Sequence, residues 1–279
     1  MLQYVVSSEA PHLTTRIMKP GKKRKRGHMY PVLFKNQKIR VGNAQIDATV
    51  IGPRTRRLCP AVIFIHGWRS KSIQHYRDRA ADLAEQGIVS LVFSLRGHGE
   101  SDGDQKKVTR ADHLKDVLAA YNFLQEDPRV DKSRIGVFGT SYGCYLAMLL
   151  SKYKKVSWLI LRAPALYRDS GFNLPTDRAV KALRGYRRQK VNAGRNLALS
   201  TLRDFSGDVL VVAGEADEDV PQRTIMNVLE ACQAAHSVEC VVVRGVDHQL
   251  SEQVWRNQVN ELTDRWIIER SNPNTRKAR

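Results

Sequence analysis

The chain has 279 residues, 42% of them hydrophobic, which suits one large folded domain and argues against an intrinsically disordered chain. Its 46 Lys and Arg residues against 28 Asp and Glu residues give a net charge of +18, a balance often found in proteins that bind nucleic acids, anionic membranes or acidic substrates. No stretch approaches the ~20 apolar residues of a membrane span, and residues 1–20 lack the apolar core of a secretory signal, so we expect a soluble, cytoplasmic protein.

The first 31 residues are predicted to form a basic, flexible extension. They contain Lys22–Arg26, a run of five basic residues. Such a run is typical of a nuclear-localisation or anion-binding patch, but a solvated tail is the simpler interpretation, and we favour it.

Residues 32–270 are predicted to form one domain, followed by a polar, basic tail at 271–279. Short apolar runs alternate here with amphipathic segments. Strands are predicted at 36–41, 45–51, 61–65, 88–93, 134–138, 156–161, 208–213 and 238–243, and helices at 75–86, 109–126, 142–154, 222–235 and 250–269. Continuous apolar strands that alternate with helices indicate an α/β fold with a mostly parallel central sheet and helices on both faces.

An insert at about 165–205 interrupts this alternation. Between residues 168 and 203 it carries nine Lys and Arg residues against two Asp residues, a net charge of +7. It is the most basic region within the predicted domain.

A nucleophile elbow is predicted at Gly139-Thr140-Ser141-Tyr142-Gly143, which has the G-x-S-x-G form and lies between a predicted strand and a predicted helix. The turn is tight and strained, so side chains at the two glycine positions would clash. Ser141 is therefore the candidate nucleophile, placed at a helix N-terminus that favours developing negative charge.

A serine nucleophile needs a histidine base and an orienting carboxylate, and in this type of site both follow the serine in the chain. Only His236 and His248 lie downstream of Ser141. His248 follows a strand directly, where catalytic groups lie in open α/β sheets, so it is the candidate base. The loop 214–221 also follows a strand and offers four carboxylates, of which only one is required.

Two backbone N–H groups are expected to stabilise the oxyanion. One belongs to Tyr142, directly after the nucleophile. The other is assigned to Trp68, in the loop after strand 61–65. His66 precedes the nucleophile and is expected to be structural.

The four cysteines form no CxxC pair, and no Cys/His cluster has the spacing of a zinc site. We expect free thiols and neither a metal nor an organic cofactor. The cysteines are Cys59, Cys144, Cys232 and Cys240.

The motifs together resemble the α/β-hydrolase superfamily, in its branch of small carboxylesterases and dienelactone hydrolase-like and serine aminopeptidase-like proteins. The resemblance covers about 45–270 and rests on five motifs in order: Ile65–Trp68, Ser94–Gly103, Gly139–Gly143, Gly214–Pro221 and Val246–His248. It implies that the acid of the triad is Asp217; Asp219 and Glu215 remain the alternative acids. It also implies that the insert is a short basic cap over the site. The chain departs from many relatives at Ser94, where they have Asp, and at Cys144, where they have Gly.

The combined prediction is a serine hydrolase that cleaves small-molecule carboxylic esters through an acyl-enzyme. A serine peptidase or an acyltransferase on the same triad is the alternative. The basic cap adds the hypothesis of an anionic ester as substrate. An alternative of another class is a basic protein that uses a hydrolase scaffold to bind nucleic acid or another anion. We do not expect nucleic acid as the partner, because a binding protein does not need an intact triad.

Overall fold

The computed structural model describes residues 13–17, 29–68, 70, 72–176 and 183–272, and within these ranges one sheet of nine strands forms the centre of the chain. The strands are β1 Leu13–Ile17, β2 Val32–Val41, β3 Ala44–Pro53, β4 Cys59–Ile65, β5 Val89–Phe93, β6 Val130–Thr140, β7 Trp158–Arg162, β8 Asp208–Gly214 and β9 Ser237–Val243. The helices are α1 Gln74–Glu85, α2 Arg110–Gln125, α3 Tyr142–Tyr153, α4 Leu183–Arg187, α5 Leu197–Arg203, α6 Gln222–Ala231 and α7 Gln253–Ser271.

The sheet order is β1-β9-β8-β7-β6-β4-β5-β3-β2. The pairs β2–β3 and β3–β5 are antiparallel, and all other neighbouring pairs in this order are parallel. This arrangement confirms the prediction of an α/β-hydrolase fold with a mostly parallel sheet. The carboxyl ends of the parallel strands meet at one edge, where the loops with the predicted site residues emerge.

Two hydrophobic clusters cover the two faces of the sheet, as the uninterrupted apolar strands predicted. In β4, Ala61, Ile63 and Ile65 belong to the cluster that includes α2, α3, α5 and α6. The intervening Val62 and Phe64 belong to the cluster that includes α1 and α7. Because successive side chains of a strand point to opposite faces, both faces of β4 must be apolar.

The strand β1 lies within the segment that the sequence analysis assigned to a flexible extension. Leu13–Ile17 pairs in parallel with β9, from Leu13 opposite Val238 to Ile17 opposite Val242. The partner strand follows more than 200 residues later, so the local composition of the segment gave no sign of the pairing. The basic run Lys22–Arg26 and the tail after Asn272 lie outside the described residues.

The helix predicted over 222–235 ends earlier, at Ala231. Beyond it the backbone N–H of Ala234 donates to Arg203 O at 3.2 Å, and that of His236 donates to Gly207 O at 3.1 Å. These tertiary hydrogen bonds replace the helical ones, and their acceptors lie at the end of α5 and just after it.

The described residues of the insert between β7 and β8 form hydrogen bonds with two other parts of the domain. At its start, the backbone N–H of Thr176 donates to Val108 O at 3.0 Å, just before α2. Towards its other end, Asn227 Nδ2 of α6 donates to Gln189 O at 2.9 Å. The part of the insert that the structure describes is therefore attached to both α2 and α6.

Candidate functional site

Ser141 occupies a strained turn between β6 and α3, as the G-x-S-x-G pattern predicted. Its φ of 51° and ψ of −108° lie in a region that non-glycine residues rarely adopt. A Cβ at Gly139 would lie 2.7 Å from the backbone of Cys144, and one at Gly143 would lie 2.1 Å from Ile65 O. Both flanking positions therefore require glycine on steric grounds.

Hydrogen bonds link Ser141, His248 and Asp217 in a continuous chain. His248 Nε2 lies 3.1 Å from Ser141 Oγ, and His248 Nδ1 lies 2.8 Å from Asp217 Oδ2. An ionised Asp217 only accepts hydrogen bonds, so Nδ1 carries the hydrogen and Nε2 is left to accept from the serine hydroxyl. The structure thus brings together the three residues that the sequence analysis selected.

The position of Asp217 is fixed by the turn that contains it. Its Oδ1 accepts the backbone N–H groups of Asp219 at 3.0 Å and Val220 at 2.8 Å, and its side chain is 3% exposed. Asp219 thus contributes its backbone to this turn. Glu215 Oε2 accepts the N–H of Gly245 instead. Of the carboxylates in this loop, Asp217 is the one that contacts His248.

The other downstream histidine, His236, lies elsewhere. Its Nδ1 is 2.8 Å from Asp208 Oδ1, at the amino ends of β8 and β9, and its side chain is 70% exposed. His236 thus lies on the surface, at the opposite edge of the sheet from Ser141.

Both proposed oxyanion donors lie beside Ser141. Tyr142 is the first residue of α3, where a backbone N–H has no acceptor within its own helix. A Cβ at Gly67 would lie 3.6 Å from Ser141 Cβ, which places the loop after β4 against the serine. Trp68 follows in that loop, and its ring packs edge-on against Tyr142 with 5.6 Å between ring centroids.

Two buried histidines hold the loops around these donors. His66 Nε2 accepts the backbone N–H of Leu95 at 3.0 Å. His113 lies 2.9 Å from the Tyr142 hydroxyl through Nδ1 and 3.0 Å from Arg96 O through Nε2. Burial lowers the pKa of both histidines to about 3, so both are neutral at pH 7. His66 thus has the structural role expected of it.

Two further residues beside the site, His113 and Asp116, lie on α2 and were not predicted from the sequence. Arg96 Nη2 donates to the fully buried Asp116 carboxylate at 2.6 Å, which holds the loop after β5 against this helix. In the sequence, both residues resemble ordinary polar positions of an amphipathic helix. Only the packing of α2 against the site shows what they contact.

The two departures from the family pattern leave the linked Ser141, His248 and Asp217 intact. Cys144 is buried, and its thiol contacts Gly139 O at 3.1 Å and Arg162 O at 3.2 Å. Burial raises the pKa of this thiol, so it stays protonated and unreactive. Ser94 O accepts the Ser101 hydroxyl at 2.7 Å, within the loop after β5.

The described ranges hold neither a metal-binding cluster nor a membrane-spanning helix. They contain no group of three His, Cys, Asp or Glu side chains arranged to hold a metal ion. None of the helices in these same ranges has the length and apolarity to cross a membrane.

Comparison with known proteins identifies the family. The profile of the serine aminopeptidase family S33 matches residues 57–204, more than half of the chain. The chain belongs to this hydrolase family. The match includes the loop after β4, the elbow and most of the insert, while Asp217 and His248 lie beyond it.

Relatives and solved structures extend the match along the chain. An uncharacterised 31.7 kDa protein of Escherichia coli is 24% identical over 207 residues, covering 67% of this chain and 72% of its own length. An esterase from Pyrococcus furiosus superposes with a TM-score of 0.66 at 22% identity, covering 90% of this chain and 97% of its own. An acylaminoacyl peptidase from Pyrococcus horikoshii gives 0.68 at 15% identity, covering 87% of this chain and 42% of its own. At these identities the structures show the shared fold.

Proposed function

We propose that this hydrolase cleaves carboxylic esters through an acyl-enzyme formed on Ser141. The observation that carries the proposal is the continuous chain of hydrogen bonds from Ser141 Oγ through His248 to the buried Asp217. A serine hydroxyl is a weak nucleophile by itself, and this arrangement is the one that activates it.

In the first half of the reaction, Ser141 Oγ attacks the ester carbonyl while His248 Nε2 takes the hydroxyl proton. Asp217 keeps the imidazole in the required tautomer and stabilises the imidazolium that forms. The N–H groups of Trp68 and Tyr142 donate to the tetrahedral oxyanion, each such donor being worth about 10²–10³ in rate.

In the second half, the intermediate collapses and His248 donates its proton to the departing alcohol, leaving an acyl-enzyme. Water then attacks this ester with His248 again as the base. The proton returns to Ser141 Oγ, and the carboxylic acid is released. Every proton transfer in this sequence uses His248 Nε2.

An ester is the preferred substrate because its carbonyl is less stabilised by resonance than that of an amide, and because an alkoxide is a better leaving group than an amide anion. The esterase neighbour supports this choice, whereas the peptidase neighbour shows that the same fold also supports amide hydrolysis. Amide cleavage and acyl transfer are therefore outcomes that the experiment must distinguish.

Hydrolysis of p-nitrophenyl esters, from acetyl to long acyl chains, tests the proposal. Ser141→Ala is expected to lower kcat at least about 10³-fold, because removal of a serine nucleophile abolishes acyl-enzyme formation. Ser133→Ala is the matched control, an exposed serine near the other end of β6, and should retain full activity. Equal activity in Ser141→Ala and the wild type would refute the proposal.

If the wild type hydrolyses no ester, amide substrates decide between a peptidase and a non-enzymatic role. Retention of labelled RNA at physiological salt would then favour the basic binding protein, and loss of that binding at high salt would mark it as nonspecific.

We further propose, from the charge of the insert, that anionic esters are preferred. The test compares a neutral ester with its carboxylated analogue over a range of salt concentrations. A preference that falls with salt supports the idea, since exposed charges are screened within about 8 Å at physiological ionic strength. Equal rates at every salt concentration would exclude it.

A further inference from the structure

Arg187 connects two segments that adjoin the Ser141 site. It is the last residue of α4, within the insert, and is partly buried. Its Nη1 donates to Asp219 O at 3.0 Å, and its Nε donates to Leu166 O at 3.3 Å. Between these contacts the guanidinium lies 5.2 Å from the centre of the Tyr167 ring.

Through Asp219, Arg187 is linked to Asp217, the acid of the proposed triad. Asp219 donates its backbone N–H to Asp217 Oδ1 at 3.0 Å, while its carbonyl accepts from Arg187. One of the two residues that donate to Asp217 Oδ1 is thus itself held by Arg187. Displacement of Asp219 would alter the orientation of the carboxylate that contacts His248.

Through Leu166, Arg187 is linked to the segment beside the nucleophile Ser141. Leu166 follows Ala165, whose backbone N–H donates to Ser141 O at 3.2 Å. The same guanidinium therefore contacts the segment next to the serine and the turn of the acid. A planar guanidinium with a fixed fork of donors suits this double contact, whereas the three donors of a lysine ammonium share a single nitrogen.

The backbone of Arg187 is also fixed in place. Its carbonyl accepts the Thr224 hydroxyl of α6 at 2.7 Å, close to the loop that contains Asp217. One turn further along the same helix, Asn227 Nδ2 donates to Gln189 O. The side chain thus extends from an anchored backbone towards two neutral carbonyl groups.

We propose that Arg187 is a positioning residue for the Ser141–His248–Asp217 site. By fixing the turn that contains Asp217 relative to the segment that follows β7, Arg187 makes the insert part of the catalytic apparatus as well as a cap. The inference rests on the proposed function for its kinetic consequence. Its structural consequence, the geometry of the Asp217–His248 pair, is independent of any substrate.

The kinetic experiment uses neutral p-nitrophenyl esters and three variants. Arg187→Met keeps the aliphatic stem but removes both donors, and it is expected to lower kcat about 10- to 100-fold with KM changed less than twofold, as for a small misplacement of catalytic groups. Arg187→Lys keeps the charge and should recover part of the loss. Arg188→Met is the matched control, since it removes an exposed neighbouring charge, and it should stay within twofold of the wild type.

The second measurement requires no turnover. The proton on His248 Nδ1, which lies in the bond to Asp217, is observed by NMR in the wild type and the same variants, with thermal unfolding recorded alongside. We expect its resonance to shift and its exchange with water to accelerate in Arg187→Met, while Arg188→Met matches the wild type. Arg187→Lys provides the same comparison if the Met variant does not fold.

The two measurements separate the two proposals. A wild type without ester hydrolysis would refute the proposed function, and the NMR comparison would still decide the role of Arg187. Arg187 variants that match Arg188→Met in the Nδ1 proton signal, and in kcat where the wild type is active, would overturn the positioning role.

Discussion

Substitution of Gly143 by alanine tests the steric argument for the elbow most directly. Gly143 is the second residue of α3, and a Cβ at this position would lie 2.1 Å from Ile65 O and 2.8 Å from His66 O. An ordinary carbon–oxygen contact is about 3.3 Å or longer, so the end of β4 and the start of α3 must separate by about 1.2 Å.

This displacement acts on both proposed oxyanion donors. Trp68 lies just after β4, and Tyr142 is the residue before Gly143, so the separation moves one N–H away from the other. A misplacement of about 1 Å costs roughly 10²-fold in rate, and we expect Gly143→Ala to lower kcat by this factor or more. The added methyl group also overpacks the turn, at about 1–3 kcal/mol of folding free energy.

The assay combines ester hydrolysis with urea unfolding. Gly185→Ala is the matched control, because a Cβ at Gly185, in α4, would meet no atom within 4 Å. We expect this control to retain wild-type kcat and to be as stable as the wild type or up to about 1 kcal/mol more stable, since alanine is the better helix former. If Gly143→Ala also kept kcat within twofold and an unchanged free energy of unfolding, the steric account of the elbow would be refuted.

Three further predictions concern buried groups. The pKa of His113 is about 3 in the folded protein against 6.5 for a free histidine. As the pH falls below 6.5, His113 therefore becomes protonated in the unfolded state but stays neutral in the folded state. Its contribution lowers the free energy of unfolding by about 1.4 kcal/mol for each pH unit between 6.5 and 3. His113→Gln should lower the slope of unfolding free energy against pH by about 1.4 kcal/mol per pH unit in urea unfolding between pH 6 and 5, while the buried His66 keeps its own contribution; an unchanged slope would contradict this. Cys144 should react with iodoacetamide only after unfolding, as peptide mapping would show, because its thiol is buried and its pKa is raised; rapid labelling of the folded protein would argue against it. Asp116→Ala should cost about 3–5 kcal/mol in urea unfolding by leaving the Arg96 charge without its buried partner. The exposed Asp104→Ala should cost about 1 kcal/mol or less, because it loses only a hydrogen bond from the Lys106 N–H and an exposed ion pair; similar losses in the two variants would show that the buried pair contributes little.

Features governed by local chemistry were predictable from the sequence. The apolar run at 61–65 predicted a strand buried on both faces, because a parallel sheet covered by helices requires it. Gly139 and Gly143 around Ser141 predicted the elbow, because the steric demand of a tight turn involves adjacent residues. His248 was selected over His236 because it follows a strand directly, and the structure places it beside Ser141.

Features that depend on distant segments needed the tertiary structure. The residues of the acid loop alone did not distinguish Asp217 from its neighbouring carboxylates; the family resemblance favoured Asp217, and the structure shows it beside His248 with backbone N–H groups on its other oxygen. The strand at Leu13–Ile17 exists through its pairing with β9, and Arg187 acts through carbonyl groups on two other segments. For Asp217 the deciding partner is the side chain of His248, 31 residues further along the chain, and only the fold brings the two together. For β1 and Arg187 the partners are backbone groups of distant segments, and a backbone group carries no residue-specific signal, so only the fold determines what contacts it.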